Sequence, residues 1–258
     1  MDILVCIKQV ADDSIDISFD ASKDAIDFNG AEQVVNAFDT YALEMAARLK
    51  EAGEGEITVL SVGPDSAKNS LKNCLAVGAE KAALITCDDY QEKDPKQFAQ
   101  LLAKGIKDLE AERGGAFDLI FCGKESTDQA SGQVGLMLAN ELGYGVMTNV
   151  IDIEKAGDVM KAKHQTDVGY DLIEAGMPVV LTVEKPKYEP RYPTVKSKMA
   201  ARKKPIEELS PADASAHGYE VVKVYGPPKR EAGVKIVAES AEDAVAQAME
   251  HVLAAKVL

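Results

Sequence analysis

The chain has 258 residues, 46% of them hydrophobic and 28% charged, with a formal net charge of -14. That apolar share suits one large α/β domain or two small ones and excludes wholesale disorder. No apolar run approaches the roughly 18 residues of a membrane span, so the chain reads as soluble, and its acidity argues against nucleic acid as a partner.

Taken in order, residues 2–8 (DILVCIK) read as a strand and 38–52 as a helix. Tyr41, Leu43, Met45, Ala46 and Leu49 share one face of that helix, and Gly53 suits its end. A second strand covers 56–62. Asp65 is the expected N-cap of a helix over 66–77 that Gly78 stops. A third strand fits 81–86, and Asp94-Pro95 opens a helix over 95–112 with proline at its first position. Residues 117–122 form a fourth strand, and the loop from Gly123 to Gly132 runs into a helix ending near Gly143. This alternation predicts an α/β fold with a mainly parallel twisted sheet and helices on both faces. Ligands are expected beyond the carboxyl ends of its strands, near residues 8, 62 and 122.

Segments 147–153, 158–164 and 168–174 then alternate apolar and polar residues, the pattern of a small antiparallel section, and 178–184 is apolar enough to rejoin the main sheet. From Lys185 the chain turns basic and proline-punctuated. Residues 205–236 show little periodicity but keep Val221, Val222, Val224 and Tyr225, and a last helix fits 240–254. The expected organisation is a nucleotide-binding domain over 1–184, a basic partner-recognition loop and short helix over 185–204, and an extended arm with a C-terminal helix over 205–258. Such an arm either lies on a partner chain or meanders over its own domain.

Three histidines (His164, His217 and His251) argue against a His-based triad or a multi-His metal site. Cys6, Cys74, Cys87 and Cys122 are scattered with no C-x-x-C, as in a reduced cytoplasmic protein, and the N-terminus lacks the marks of an export signal. The strongest candidate for chemistry is GKESTDQASGQVG, Gly123 to Gly135. Its glycines, the hydroxyls of Ser126, Thr127 and Ser131, and the start of the following helix suit a phosphate, although a plain loop-to-helix junction explains them too. The end of the first strand, from Cys6 to Val10, and Val62-Gly63-Pro64 would let a flat base approach. Asn36 could bond a base or ribose, and Asp39 could cap its helix. Lys185 to Lys204 holds eight cations against Glu189, a net of +7 that leaves -21 on the rest. That contrast suits an acidic protein partner. No carboxylate pair, activated nucleophile or metal-ligand spacing stands out, so no catalytic side chain is assigned and redox chemistry would need a cofactor.

VCIKQV, VNAFDTYALE, SVGPDSAKNSLKNCLAVGAEKA, CGKESTDQASGQVG and the long PVVLTVEKPKYEPRYPTVKSKMAARKKPIEEL, in that order, resemble the beta subunit of electron transfer flavoproteins along nearly the whole chain. The resemblance implies an adenine nucleotide α-hydrolase-like fold and a heterodimer with an alpha subunit that carries the redox FAD. It also implies an AMP in the beta subunit, or a second FAD in its place in electron-bifurcating members. Those members take electrons from NADH and send them to a flavin and to ferredoxin or flavodoxin. The implied nucleotide contacts are Cys6, Asn36, Ala37, Phe38, Asp39, Val62, Gly63, Gly123, Lys124, Glu125, Ser126, Thr127, Asp128, Gln129, Ala130, Ser131, Gly132, Gln133 and Val134, with Asp128 and Gln133 prominent. Arg191, Tyr192, Thr194 and Val195, with the cations Lys198, Arg202 and Lys203, resemble the loop that docks an acyl-CoA dehydrogenase or similar flavoenzyme.

There are departures. Asp171 precedes Ile173 where the family usually has Glu or Gln, Val195 stands for a larger aliphatic residue, and Val134 stands where AMP-type members can carry a hydroxyl. Q-V-G at Gln133 and D-x-Y-A-L-E at Asp39 look like the bifurcating members, whereas S-x-D-Q-A at Ser126 also looks like simple shuttles. The rival from another class is a stand-alone nucleotide-binding regulator of the stress-protein type, which would have no use for a basic loop or a long arm.

Overall fold

Apolar residues at nearly every position of the first strand, rather than at alternate ones, require cover on both faces, and the fold supplies it. The computed structural model describes every residue except 16–17, 21, 23–24, 29, 54, 212–214, 216–217, 227, 229–231 and 257–258; His217 and parts of the 205–236 segment therefore lie outside the described residues. The chain begins β1 (Asp2–Ile7), β2 (Gln9–Ala11), β3 (Ser18–Asp20), β4 (Ala25–Asp27), β5 (Gln33–Val35) and α1 (Ala37–Glu51). It continues β6 (Glu56–Gly63), α2 (Ala67–Val77), β7 (Lys81–Thr86), α3 (Pro95–Arg113), β8 (Leu119–Gly123) and α4 (Val134–Leu142). The remainder is β9 (Gly145–Ala156), β10 (Val159–Thr166), β11 (Gly169–Gly176), β12 (Val179–Val183), α5 (Val195–Lys203), β13 (Glu207–Leu209) and α6 (Ala241–Ala254).

Nine strands form one sheet in the order β11-β10-β9-β12-β8-β1-β6-β7-β13. The pairings from β9 through β13 are parallel, and β9, β10 and β11 pair antiparallel, as the alternating segments predict. Ile3, Val5 and Ile7 face a layer built by α1, α2 and Ala201 of α5. Leu4 and Cys6 face α3 and α4. The chain adds β6 and then β7 on one side of β1, and later β8 on the other. The strand order therefore reverses between β1 and β8, the place where an open parallel sheet leaves a crevice at its carboxyl end.

Local signals mostly read true. Asp94 accepts from the backbone N–H of Gln97 at 2.8 Å while its own N–H donates to Gln97 Oε1 at 3.1 Å, a complete capping box. The expected cap at Asp65 is corrected: Ser66 occupies the N-cap position of α2 with no side-chain cap bond. The chain enters α2 through tight turns, with Ala67 N–H on the Pro64 carbonyl and Lys68 N–H on the Asp65 carbonyl, so the Asp65 carboxylate goes to the Lys68 ammonium instead.

The 205–258 segment does not leave the domain at once. Glu207–Leu209 adds a parallel edge strand to β7. The α3 start then holds the chain again: Gly218 N–H donates to Asp94 Oδ2 at 2.7 Å, Gln97 Nε2 to the Ser215 carbonyl at 2.8 Å, and Ser215 N–H to Gln100 Oε1 at 2.9 Å. Among the described residues of this segment the exposed large apolar side chains follow this latch, with Tyr219, Val221, Val222 and Tyr225, and α6 has no buried residue.

Candidate nucleotide-binding site

The crevice between β1 and β8 opens into a cleft of about 650 Å³. Cys6, Val62, Phe98, Leu102 and Cys122 give it an apolar floor, and the loop after β8 forms its rim from Gly123 to Gly135. Of the residues expected at the nucleotide, Cys6, Asn36, Asp39, Val62, Gly123, Lys124, Glu125, Ser126, Gln129, Ser131, Gly132, Gln133 and Val134 line this cleft. Ala37, Phe38, Gly63, Thr127, Asp128 and Ala130 are absent from the lining. Phe38 instead backs the loop, and Asp128 stands on Lys8. Ile7, Lys8 and Gly135 also line the cleft, within the strand end and loop that the sequence singled out, whereas Phe98 and Leu102 of α3 and Cys122 of β8 are lining residues that sequence reasoning did not name.

The first turn of α1 holds the loop. Asn36 is buried; its Nδ2 donates to the Glu125 carbonyl at 2.8 Å, and its Oδ1 accepts from Thr127 N–H at 3.0 Å. Its amide is thereby committed to the backbone of the loop. Asp39 does not cap α1. It is buried, and its carboxylate accepts Lys8 N–H at 2.7 Å and Gly123 N–H at 3.0 Å, tying together the ends of the two strands that flank the crevice. Gly123 is required by closeness: a Cβ there would lie on Asp39 Oδ1 and 2.7 Å from Phe38 Cβ. Gly135 is likewise pressed onto β12, where a Cβ would lie 2.6 Å from Thr182 Cγ2.

Between these fixed points the loop makes two left-handed turns, at Ala130 (φ 47°) and Gly132 (φ 62°). A non-glycine residue in that region costs roughly 1 kcal/mol or more, a strain typical of binding loops. α4 then starts at Val134, and its N-cap Gln133 makes no side-chain cap bond; the positive end of the helix dipole at the rim suits an anion. Two lysines, Lys8 and Lys124, are among the described residues that line the cleft; Lys124 pairs with Glu184, and the Lys8 ammonium turns to the loop. The Lys8 ammonium pairs with Asp128 at 2.7 Å, lies 3.4 Å from Ser126 Oγ and sits 5.7 Å from the centre of the Phe98 ring.

Titration follows from this geometry. A thiol contact with Cys122, then burial, pushes Cys6 well above the ordinary thiol range, so the Cys6 thiol stays protonated and neutral. Burial raises the Asp39 carboxyl to about 7, against the pull of the Lys8 and Gly123 N–H groups and the Lys8 charge. With its folded value above its unfolded one, Asp39 stabilises the fold most in acid and loses that contribution as pH rises toward 7. Urea unfolding at pH 5 and pH 8 should therefore show a loss on the order of 3 kcal/mol from this group. An Asp39→Asn variant should lack that part of the slope; equal slopes in the two proteins would show that Asp39 titrates normally.

A model of the family "Electron transfer flavoprotein domain" matches residues 25–214. The chain is 36% identical to a protein of Megasphaera elsdenii named electron transfer flavoprotein subunit beta, with all of both chains covered. It is 34% identical to the Bacillus subtilis protein of that name, over 95% of each chain, and 31% identical to the human one, over 96% of each. The chain belongs to the electron transfer flavoprotein beta subunit family. Beta subunits of this family pair with an alpha subunit.

In this electron transfer flavoprotein beta subunit the basic segment after β12 divides into two parts. Arg191 turns inward onto α1, where Glu44 and Glu51 hold it. Thr194 caps α5, accepting Ser197 N–H at 3.1 Å in a capping box. Tyr192, Val195 and Met199 are 90%, 78% and 60% exposed. Val195 and Met199, four residues apart on α5, share one face of it, Tyr192 precedes the helix, and Lys196, Lys198, Arg202 and Lys203 are exposed on it. Among the described residues no helix is long and apolar enough to cross a membrane.

Proposed function

We propose that the cleft between β1 and β8 holds the adenylate part of a nucleotide cofactor, and that the chain serves as an electron-carrying subunit rather than a catalyst of bond making. The supporting observation is the loop itself. Gly123, Asn36 and Asp39 press it against α1, the start of α4 at the cleft's rim brings the positive end of a helix dipole with no side-chain cap, and Lys8 supplies a cation. The apolar side chains of Cys6, Val62, Phe98, Leu102 and Cys122 suit a flat base. The cofactor proposed is a second FAD, supported by the Q-V-G and D-x-Y-A-L-E motifs; an AMP would use the same adenylate contacts. A bound flavin supplies the one- and two-electron chemistry, taken from NADH in a bifurcating complex, and this chain's residues bind and orient it.

In this reading the exposed apolar side chains of Tyr192, Val195 and Met199, with the exposed cations of the same segment, dock an acidic flavoenzyme of the acyl-CoA dehydrogenase type. Ferredoxin or flavodoxin would be the second acceptor. The exposed arm after Gly218, with α6, lies on the alpha subunit, which would cover its valines and tyrosines. Four buried free cysteines suit a cytoplasmic setting.

The test is a count. The chain is co-expressed with its alpha subunit, cofactors are released by heat, and FAD and AMP are quantified per heterodimer. Two FAD and no AMP are expected. One FAD with one AMP would make the complex a simple shuttle with a structural nucleotide, and neither nucleotide in this subunit would reject the cleft.

A further inference from the structure

Arg191 lies in the segment read above as the docking surface, yet its side chain does not face outward. Its Nε lies 2.7 Å from Glu44 Oε2, its backbone N–H donates to the same oxygen at 3.1 Å, and its second terminal nitrogen reaches Glu51 Oε2 at 3.1 Å. Glu44 is nearly fully buried, and its other oxygen takes Arg48 Nε at 2.7 Å. The Arg48 guanidinium in turn stacks 3.9 Å from the centre of the Tyr188 ring, three residues before Arg191. Burial raises the Glu44 carboxyl, but the bonds from Arg191 and Arg48 outweigh it and hold the group below its ordinary range. One carboxylate on α1 thus serves two guanidiniums, one from its own helix and one from the incoming loop. At the far end of the segment the Lys72 ammonium bonds the Lys204 carbonyl, and the Lys204 ammonium bonds the Ala79 carbonyl at 2.9 Å.

We propose that Arg191 and Glu44 are positioning residues for partner docking: the half-buried guanidinium on the buried carboxylate clamps the start of the basic segment to α1 and so sets the pose of Tyr192, Val195 and α5, which meet the partner in place of Arg191. The inference rests on the docking reading of residues 185–204. The geometry requires a planar fork. Arg191 engages two carboxylates and presents its own backbone N–H to one of them, an arrangement a point charge on a flexible stem cannot reproduce. A residue that only contributed positive charge to a docking face would tolerate lysine. Glu44 is buried, so a poorer partner at 191 leaves its carboxylate short of a bond, and without Glu44 the guanidinium keeps only the exposed Glu51; both partners should matter.

The test uses the complex with the alpha subunit and the variants Glu44→Gln and Arg191→Lys, with an acyl-CoA dehydrogenase reduced by its own acyl-CoA as electron donor. Both variants should raise the KM for the dehydrogenase about tenfold with kcat unchanged, the mark of lost binding rather than lost chemistry. The dependence of rate on salt should stay as in the parent, because Arg191→Lys removes no charge and Glu44 is buried. Trypsin should also cut within 185–204 several times faster in both variants. Unchanged KM and unchanged cleavage in Glu44→Gln would overturn the proposal, as would an Arg191→Lys variant equal to the parent in both. Faster cleavage with unchanged KM would leave the clamp standing and reject the docking reading, and with it the role in docking; a parent complex that takes no electrons from the dehydrogenase would reject that reading in the same way. Cofactor content equal to the parent's separates these effects from general unfolding.

Discussion

A Gly123→Val complex is expected to be purified with its beta-subunit nucleotide below about a tenth of parental occupancy, because the added atoms have nowhere to go. The first of them, Cβ, would already overlap Asp39 Oδ1 and stand 2.7 Å from Phe38 Cβ. Neither neighbour is a flexible tip. Asp39 is fixed by the Lys8 and Gly123 N–H groups, and Phe38 belongs to the first turn of α1. The loop must then move away from α1, which pulls Glu125 and Thr127 off Asn36 and opens the rim. The folding cost should be about 2–4 kcal/mol, the range for overpacking a site joined to buried hydrogen bonds. Nucleotide released from the complex and the urea midpoint check the two halves. Full occupancy would move the nucleotide away from this loop.

Reversing charge at Lys198, Arg202 and Lys203, each to glutamate, should slow electron exchange with the dehydrogenase about 10- to 100-fold at low ionic strength, the size expected when electrostatic steering is lost. The variant changes the segment by six charges and takes its net value from +7 to +1. All three side chains are exposed, and the bond that Lys72 makes near Arg202 is to a backbone carbonyl, so the fold has no need of these cations. Stopped-flow rates across a salt series decide it. Parent and variant should converge as the Debye length shrinks to about 3 Å near 1 M salt. Equal rates at low salt would mean that the cations serve something other than docking.

The elements were legible because their signals are local. A Pro after an Asp marks the start of α3, and strict alternation marks β9 to β11, whereas unbroken apolar runs mark the buried strands. β13 was not legible, since Glu-Glu-Leu has neither length nor period and becomes a strand only because β7 offers a free edge. At the site the loop could be read from composition, but the partners that shape it could not. Lys8 looks like any lysine at a strand end until the fold sets Asp128 in front of it, 120 residues away. Asp39 has the sequence context of a helix cap, yet two strand ends claim its oxygens, because a buried carboxylate takes the strongest donors the tertiary structure brings. Arg191 reads as one more cation in a basic run; only the place of Glu44 on α1, 147 residues away, shows that it faces inward.

α1 carries Asn36 and Asp39 at one end and Glu44 and Glu51 toward the other, and this gives the helix a role as a ruler. Twelve residues at the rise of an α-helix put the Asp39 and Glu51 backbones roughly 18 Å apart. Each residue also turns the helix by about 100°. One residue inserted or deleted between them would swing one set of carboxylates away from its partners while leaving the other in place. The spacing between cleft and segment is therefore digital: it cannot be tuned by small steps, and within this family length variation is expected in the β9–β11 hairpins and the arm, with α1 held at constant length.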